Sequence, residues 1–255
     1  MHNSRVILLG FPKTGNTTIH NTLRHLGYDF IQHWDDVEPQ HTAEPDDIAA
    51  SHKQLLNIPE NTGVALGTLG QLNLWEQYTL RYPDALYVLN TRSNRSHLTS
   101  LLKHAWYDYT ENSNNSTWGP GYWPPTAYRG FHRLIQKHRH ETDVEKSIRD
   151  VQFLKVDIES AEWQHTLVKK LDPSADINKL LTTGYSYPGF QQHSDQTNSG
   201  ITGLHANARP DSILPQEDMQ LIQSAVSVSL EAFELHKAST EIELEIQQLI
   251  GPNPA

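Results

Sequence analysis

Cysteine is absent from this chain of 255 residues, and methionine occurs only twice. The first absence removes a disulfide framework, a thiolate metal site and a cysteine nucleophile, so the chemistry must come from other groups. Long apolar runs are missing as well: no stretch approaches the ~18 to 20 residues of a membrane span. Met1 stands too close to the first β-forming run to leave room for a signal peptide, so the reading is a cytoplasmic protein with no membrane partner. Positive charge is scarce, with 20 Lys and Arg against 30 Asp and Glu and a formal net charge of -10. A general nucleic-acid binder needs a basic stripe, which that balance excludes; each cation near a motif then counts locally.

What is present begins at once. Val6 to Leu9 is a run of β-formers that breaks at Gly10, passes Pro12 and Gly15, and resumes as an apolar-periodic segment, Ile19, Leu23 and Leu26, stopping at Gly27. The pattern predicts strand, loop and helix. The first amides of a helix lack intrahelical partners and carry the positive end of the peptide dipoles, so the loop is a natural phosphate site. Thr17 and Thr18 add hydroxyls, and Lys13 adds a full charge.

Gly10 and Gly15 have the spacing of a nucleotide-triphosphate loop, but Asn16 stands where that motif places its lysine. The order Pro12-Lys13-Thr14-Gly15-Asn16-Thr17-Thr18 instead resembles the 5′-phosphosulfate loop of sulfotransferases that use 3′-phosphoadenosine 5′-phosphosulfate (PAPS). The resemblance implies that Lys13 lies near the phosphosulfate bridge and that Thr17, Thr18 and the loop amides hold the 5′-phosphate. A second stretch is similar to the same family. Ala85 to Asn90 reads as a short buried strand, followed by Thr91-Arg92, with Ser100 eight residues past the arginine. In that family a strand-terminal Arg and a Ser on the next helix share the 3′-phosphate, which assigns Arg92 and Ser100 to it.

Strand and helix patterns alternate along the chain. They predict an α/β fold, a P-loop-like three-layer α/β/α arrangement around a central parallel sheet, as a single domain over residues 1–255. Further strands are expected over Tyr28 to Trp34, Gly63 to Gly67 and Val151 to Ile158, and helices over Ile48 to Ile58, Leu72 to Tyr82, Ser96 to Trp106 and Gly130 to Arg149. A long loop over about 107–130 carries Trp118, Tyr122, Trp123 and Tyr128 and reads as a lid or substrate wall, the alternative being an insertion docked on the core. His132, His138 and His140 cluster on a helix without the spacing of a metal site, and no metal is expected. The C-terminal helical segment, about 213–250, has a core stripe at Met219, Ile222, Val226, Leu230 and Phe233. Its tail, Glu241 to Ile250, is a short helix or a homodimer element.

The strand over Val151 to Ile158 and the segment after it, with Trp163, Leu167 and Leu171-Asp172-Pro173, also resemble the family, although Lys155 and Val156 occupy the place of its adenine-holding Tyr. The family's last cofactor element is a Gly- and Arg-containing loop, for which Arg209 is the candidate by position and charge. Many members carry a basic His near the position of Gly67-Thr68-Leu69, where this chain has none. Other branches draw a base from near the end of the second strand, where His33, Asp35 and Asp36 stand; His104 is a further candidate.

The resemblance implies a bacterial, small-molecule type of sulfotransferase. It would move a sulfuryl group from PAPS to a hydroxyl or amine, release 3′-phosphoadenosine 5′-phosphate and require no metal. The aromatic loop and acidic chain suit a ringed, neutral or cationic acceptor, of natural-product or toxin-alkaloid kind. The rival readings are a P-loop small-molecule kinase and a catalytically idle nucleotide-binding relative.

Overall fold

In the computed structural model the described residues are 5–32, 58–66, 75–111, 125–175 and 214–250. Five strands, β1 (Val6–Leu8), β2 (Asp29–Gln32), β3 (Thr62–Ala65), β4 (Leu86–Thr91) and β5 (Gln152–Asp157), form one sheet in the order β2-β3-β1-β4-β5. Every pairing is parallel, with Val6 between Gly63 and Leu86 and Leu8 between Ala65 and Val88. The described helices are α1 (Asn16–His25), α2 (Trp75–Arg81), α3 (Asn94–Glu111), α4 (Ala127–Ser147), α5 (Trp163–Leu171) and α6 (Gln216–Ile250). None is long and apolar enough to cross a membrane.

The chain divides into two compact units, Met1–Arg92 with Glu141–Arg209, and Ser93–His140 with Pro210–Ala255. The first holds the sheet. Successive residues of a strand point to opposite faces, and both faces here are apolar, as a buried parallel sheet requires. Ile7, Leu9, Val64, Tyr87 and Leu89 pack with Trp75 and Tyr78 of α2 on one face. Val6, Leu8, Leu86 and Val88 pack with Ile19 and Leu23 of α1 and with Trp163 and Leu167 of α5 on the other. The α/β reading with a central parallel sheet and flanking helices is what the structure shows.

The second unit is helical. Leu98, Leu101 and Leu102 of α3, Leu134 of α4 and Ile222, Val226 and Phe233 of α6 form its core, and Trp106 Nε1 donates to Asp218 Oδ2 at 2.7 Å.

Three boundaries differ from expectation. Helix α3 begins at Asn94 and runs on to Glu111, into the segment read as the start of the aromatic loop. Helix α4 begins at Ala127, not Gly130, because Thr126 caps it: Gly130 N donates to Thr126 O at 3.2 Å and Arg129 N to Thr126 Oγ1 at 3.4 Å. The loop of about 107–130 is therefore shorter at both ends; its Trp118, Tyr122 and Trp123 lie outside the described residues. The C-terminal segment is one helix to Ile250 rather than a helix and a separate tail. It passes Ala238-Ser239-Thr240 with Thr240 Oγ1 donating back to His236 O at 3.0 Å, and a Lys237–Glu241 pair one turn apart. The helix expected over Ile48 to Ile58 lies almost wholly outside the described residues.

Candidate active site

Both motifs sit at carboxyl ends of neighbouring strands. β1 and β4 pair directly, and Leu9 N donates to Val88 O at 2.8 Å just before the loop begins. The chain leaves β1 toward the β2 side of the sheet and leaves β4 toward β5, so the crevice between these two strands is the topological switch point, where ligands bind in open α/β sheets.

The loop is shaped from inside. Lys13 and Gly15 are both left-handed, with φ of 71° and 97°. Gly15 carries its positive φ at no steric cost, whereas Lys13 is a strained position of the kind that gathers at ligand sites. A Cβ on Gly15 would also overlap Ile158, the residue after β5. Between the two left-handed residues, Thr14 is completely buried, and its hydroxyl donates to Phe11 O at 2.6 Å while its amide reaches the same carbonyl at 3.1 Å. Thr14 therefore acts through the loop's shape. Pro12 is buried, and Lys13, Gly15, Asn16 and Thr17 are partly exposed; Thr18 is buried on α1.

Gly15 is the N-cap of α1; it offers no side-chain cap, and the first turn holds no acidic residue. The partial positive charge there is therefore neither capped nor neutralised by α1's own first turn, as an anion site needs. Within α1, His20 is buried and its pKa is lowered from 6.5 to about 4, first by desolvation and then by the Arg24 charge. It is thus neutral at physiological pH and adds no charge to the loop.

Arg92 follows β4 directly. Its Nε meets Glu159 Oε1 at 3.3 Å, from the turn after β5, with the two side chains 24% and 34% exposed. The pair uses only Nε; the two terminal nitrogens, the fork that grips phosphate, have no partner among the described residues.

Sequence reasoning missed Glu159, and it missed Asn90. Asn90 ends the apolar run of β4, is completely buried, and its Nδ2 lies 3.0 Å from Thr14 O, 3.0 Å from Thr14 Oγ1 and 2.8 Å from Asn16 Oδ1. A single polar residue at the end of a buried strand was the available signal.

Ser100 and His104 are half-buried on α3, in the second unit. His138 meets the Phe233 ring edge-on at 5.7 Å, and His132 stacks on Tyr128 at 6.4 Å. Among the described residues no group of His, Asp and Glu could hold a metal ion. His33, Asp35, Asp36 and Arg209 lie outside the described residues.

A family model described as a sulfotransferase domain matches residues 5–172, about two-thirds of the chain and all five strands. The chain belongs to the sulfotransferase family. The matched stretch of this sulfotransferase carries the Gly10–Gly15 loop, Arg92, Ser100 and Glu159. No curated protein matches the sequence. Among solved structures, a shikimate kinase from Bacteroides thetaiotaomicron is similar over 67% of this chain and 97% of its own, at 11% identity and a TM-score of 0.40.

Proposed function

We propose that this sulfotransferase takes its sulfuryl group from PAPS and delivers it to a hydroxyl or amine of a small-molecule acceptor. One observation carries the reading. The glycine loop and Arg92, assigned by the resemblance to the two phosphates of the donor, stand at the ends of adjacent parallel strands, β1 and β4.

The residues fit that donor. The first-turn amides of α1, free of a side-chain cap, suit the 5′-phosphate together with the Thr17 and Thr18 hydroxyls. The guanidinium fork of Arg92 suits the 3′-phosphate, with Ser100 its companion by the family's pattern. Bound there, PAPS would supply an activated sulfuryl group on a good leaving phosphate. Lys13, which the resemblance puts near the phosphosulfate bridge, would stabilise the negative charge that grows on the leaving phosphate as the bond breaks. The acceptor's proton passes to a base, for which His33, Asp35 and His104 are the candidates. The acidic chain and the aromatic residues 118–128 favour a ringed, neutral or cationic acceptor of natural-product type. The family match and Asn16 in the place of the lysine both disfavour the kinase alternative.

Calorimetric titration with 3′-phosphoadenosine 5′-phosphate, beside ATP with Mg²⁺, tests the donor. Arg92→Ala is expected to weaken the bisphosphate by about 1.5 to 3 kcal/mol, the cost of a lost charged hydrogen bond, or roughly 10- to 150-fold. Preference for ATP, or indifference to Arg92, would overturn the reading.

A further inference from the structure

We infer that Asn90 is a positioning residue for the donor's 5′-phosphate, acting through the loop and not by touching the ligand. The inference rests on the donor reading above.

The carboxamide of Asn90 is buried inside the loop it holds. Gly10 opens that loop, and a Cβ added to Gly10 would overlap all three terminal atoms of the Asn90 side chain. Asn90 thus fills the space that glycine leaves. Its amide nitrogen has two hydrogens for three acceptors, Thr14 O, Thr14 Oγ1 and Asn16 Oδ1, so one hydrogen is shared. The Asn16 side chain in turn places Nδ2 3.5 Å from Gly10 O, which closes a ring around the carboxamide.

Position matters more than the number of bonds. Thr14 lies between Lys13 and Gly15, the two left-handed residues, so the tether holds the loop where its backbone reverses. Asn16 is the first residue of α1, so the same amide also fixes the loop against the helix start whose amides would meet the 5′-phosphate in the donor reading. All three acceptors are oxygens, and only a donor side chain can serve them. With the donor gone, Thr14 O becomes a buried carbonyl that has lost its partner, and the loop must move to solvate it. Arg92 is two residues further along the chain, just past the end of β4, yet its guanidinium pairs with Glu159 and has no bond to this network.

That separation gives the test. Affinities of the full-length protein and of Asn90→Ala are measured by calorimetry for two probes, 3′-phosphoadenosine 5′-phosphate and adenosine 3′-monophosphate, which lacks the 5′-phosphate. Loss of the tether is expected to weaken the bisphosphate about 10- to 100-fold, the size of a buried polar group left unpaired, and to leave the monophosphate within about twofold. Asn90→Ser, which keeps a shorter donor, is expected to lie between and decides the matter if the alanine variant does not fold. Equal weakening of both probes would mean a general structural role and would overturn the inference, as would unchanged binding of the bisphosphate. If the unaltered protein binds neither probe, the donor reading falls and takes this inference with it. Bisphosphate binding that ignores Asn90 sinks the inference alone.

Discussion

The partly exposed pair between Arg92 and Glu159 sets a competition at the level of single side chains. Exposed ion pairs contribute roughly 0.2 to 1 kcal/mol, far less than a phosphate gains from an arginine fork, so Glu159 does not block an anion from Arg92. It does leave a like charge beside it. Glu159→Gln removes both the competing pair and the repulsion, and should tighten binding of 3′-phosphoadenosine 5′-phosphate about two- to fivefold in a titration at low salt. Weaker binding in that variant would mean that Glu159 instead orients the guanidinium. Glycine spacing and a strand-terminal arginine made the loop and Arg92 legible in the sequence, because both signals are local. Glu159 and Asn90 were not legible. Their roles arise from the pairing of β4 with β5 and of β1 with β4, which join residues up to 76 positions apart.

At the scale of elements, the buried strands were readable as short apolar runs, and the three boundary differences all concern helix ends. Tyr107 and Tyr109 read as loop material beside Asn, Ser and Pro, yet α3 runs on past Trp106 to Glu111, and Trp106 Nε1 bonds Asp218 and anchors the last turns of α3 within the second unit. The start of α4 was misplaced for a different reason. Gly130 reads as a helix breaker, but it sits inside α4 because α6 passes close by. A Cβ there would overlap Ser229 Oγ, and Ser229 is completely buried, its hydroxyl within 2.9 Å of Ala127 O and 2.6 Å of Ala225 O. Two effects oppose each other in Gly130→Ala. Helix propensity favours alanine by ~1 kcal/mol, whereas overpacking costs about 1 to 3 kcal/mol and here also displaces a buried hydroxyl. Packing should win, giving a net loss of roughly 1 to 2 kcal/mol in denaturant unfolding. A stabilised variant would show that Ser229 simply turns away.

For the molecule as a whole, the net charge of -10 and 15 histidines make stability depend on pH, and His20 gives that dependence a traceable component. Its pKa in the folded chain is about 4 against an ordinary 6.5, because burial and then the Arg24 charge disfavour the imidazolium. The unfolded chain therefore binds the proton more readily between those two values. The contribution of a neutral His20 is fully present above pH 6.5, declines as pH falls toward 4, and does not change further below that. With allowance for solvent screening, the amount lost is on the order of 2 kcal/mol, or roughly 4 to 8 °C in Tm for a chain of this size. His20→Gln removes the titrating group and keeps a polar side chain. The two proteins share every other ionisable group, so the difference between the two Tm curves isolates His20. The curves should converge as pH drops from 7 to 4, with the wild type losing more. Parallel curves would mean that His20 takes up its proton in the folded state as easily as in water, and that the helix behind the phosphate loop is better solvated than its packing against Val6 and Leu8 implies.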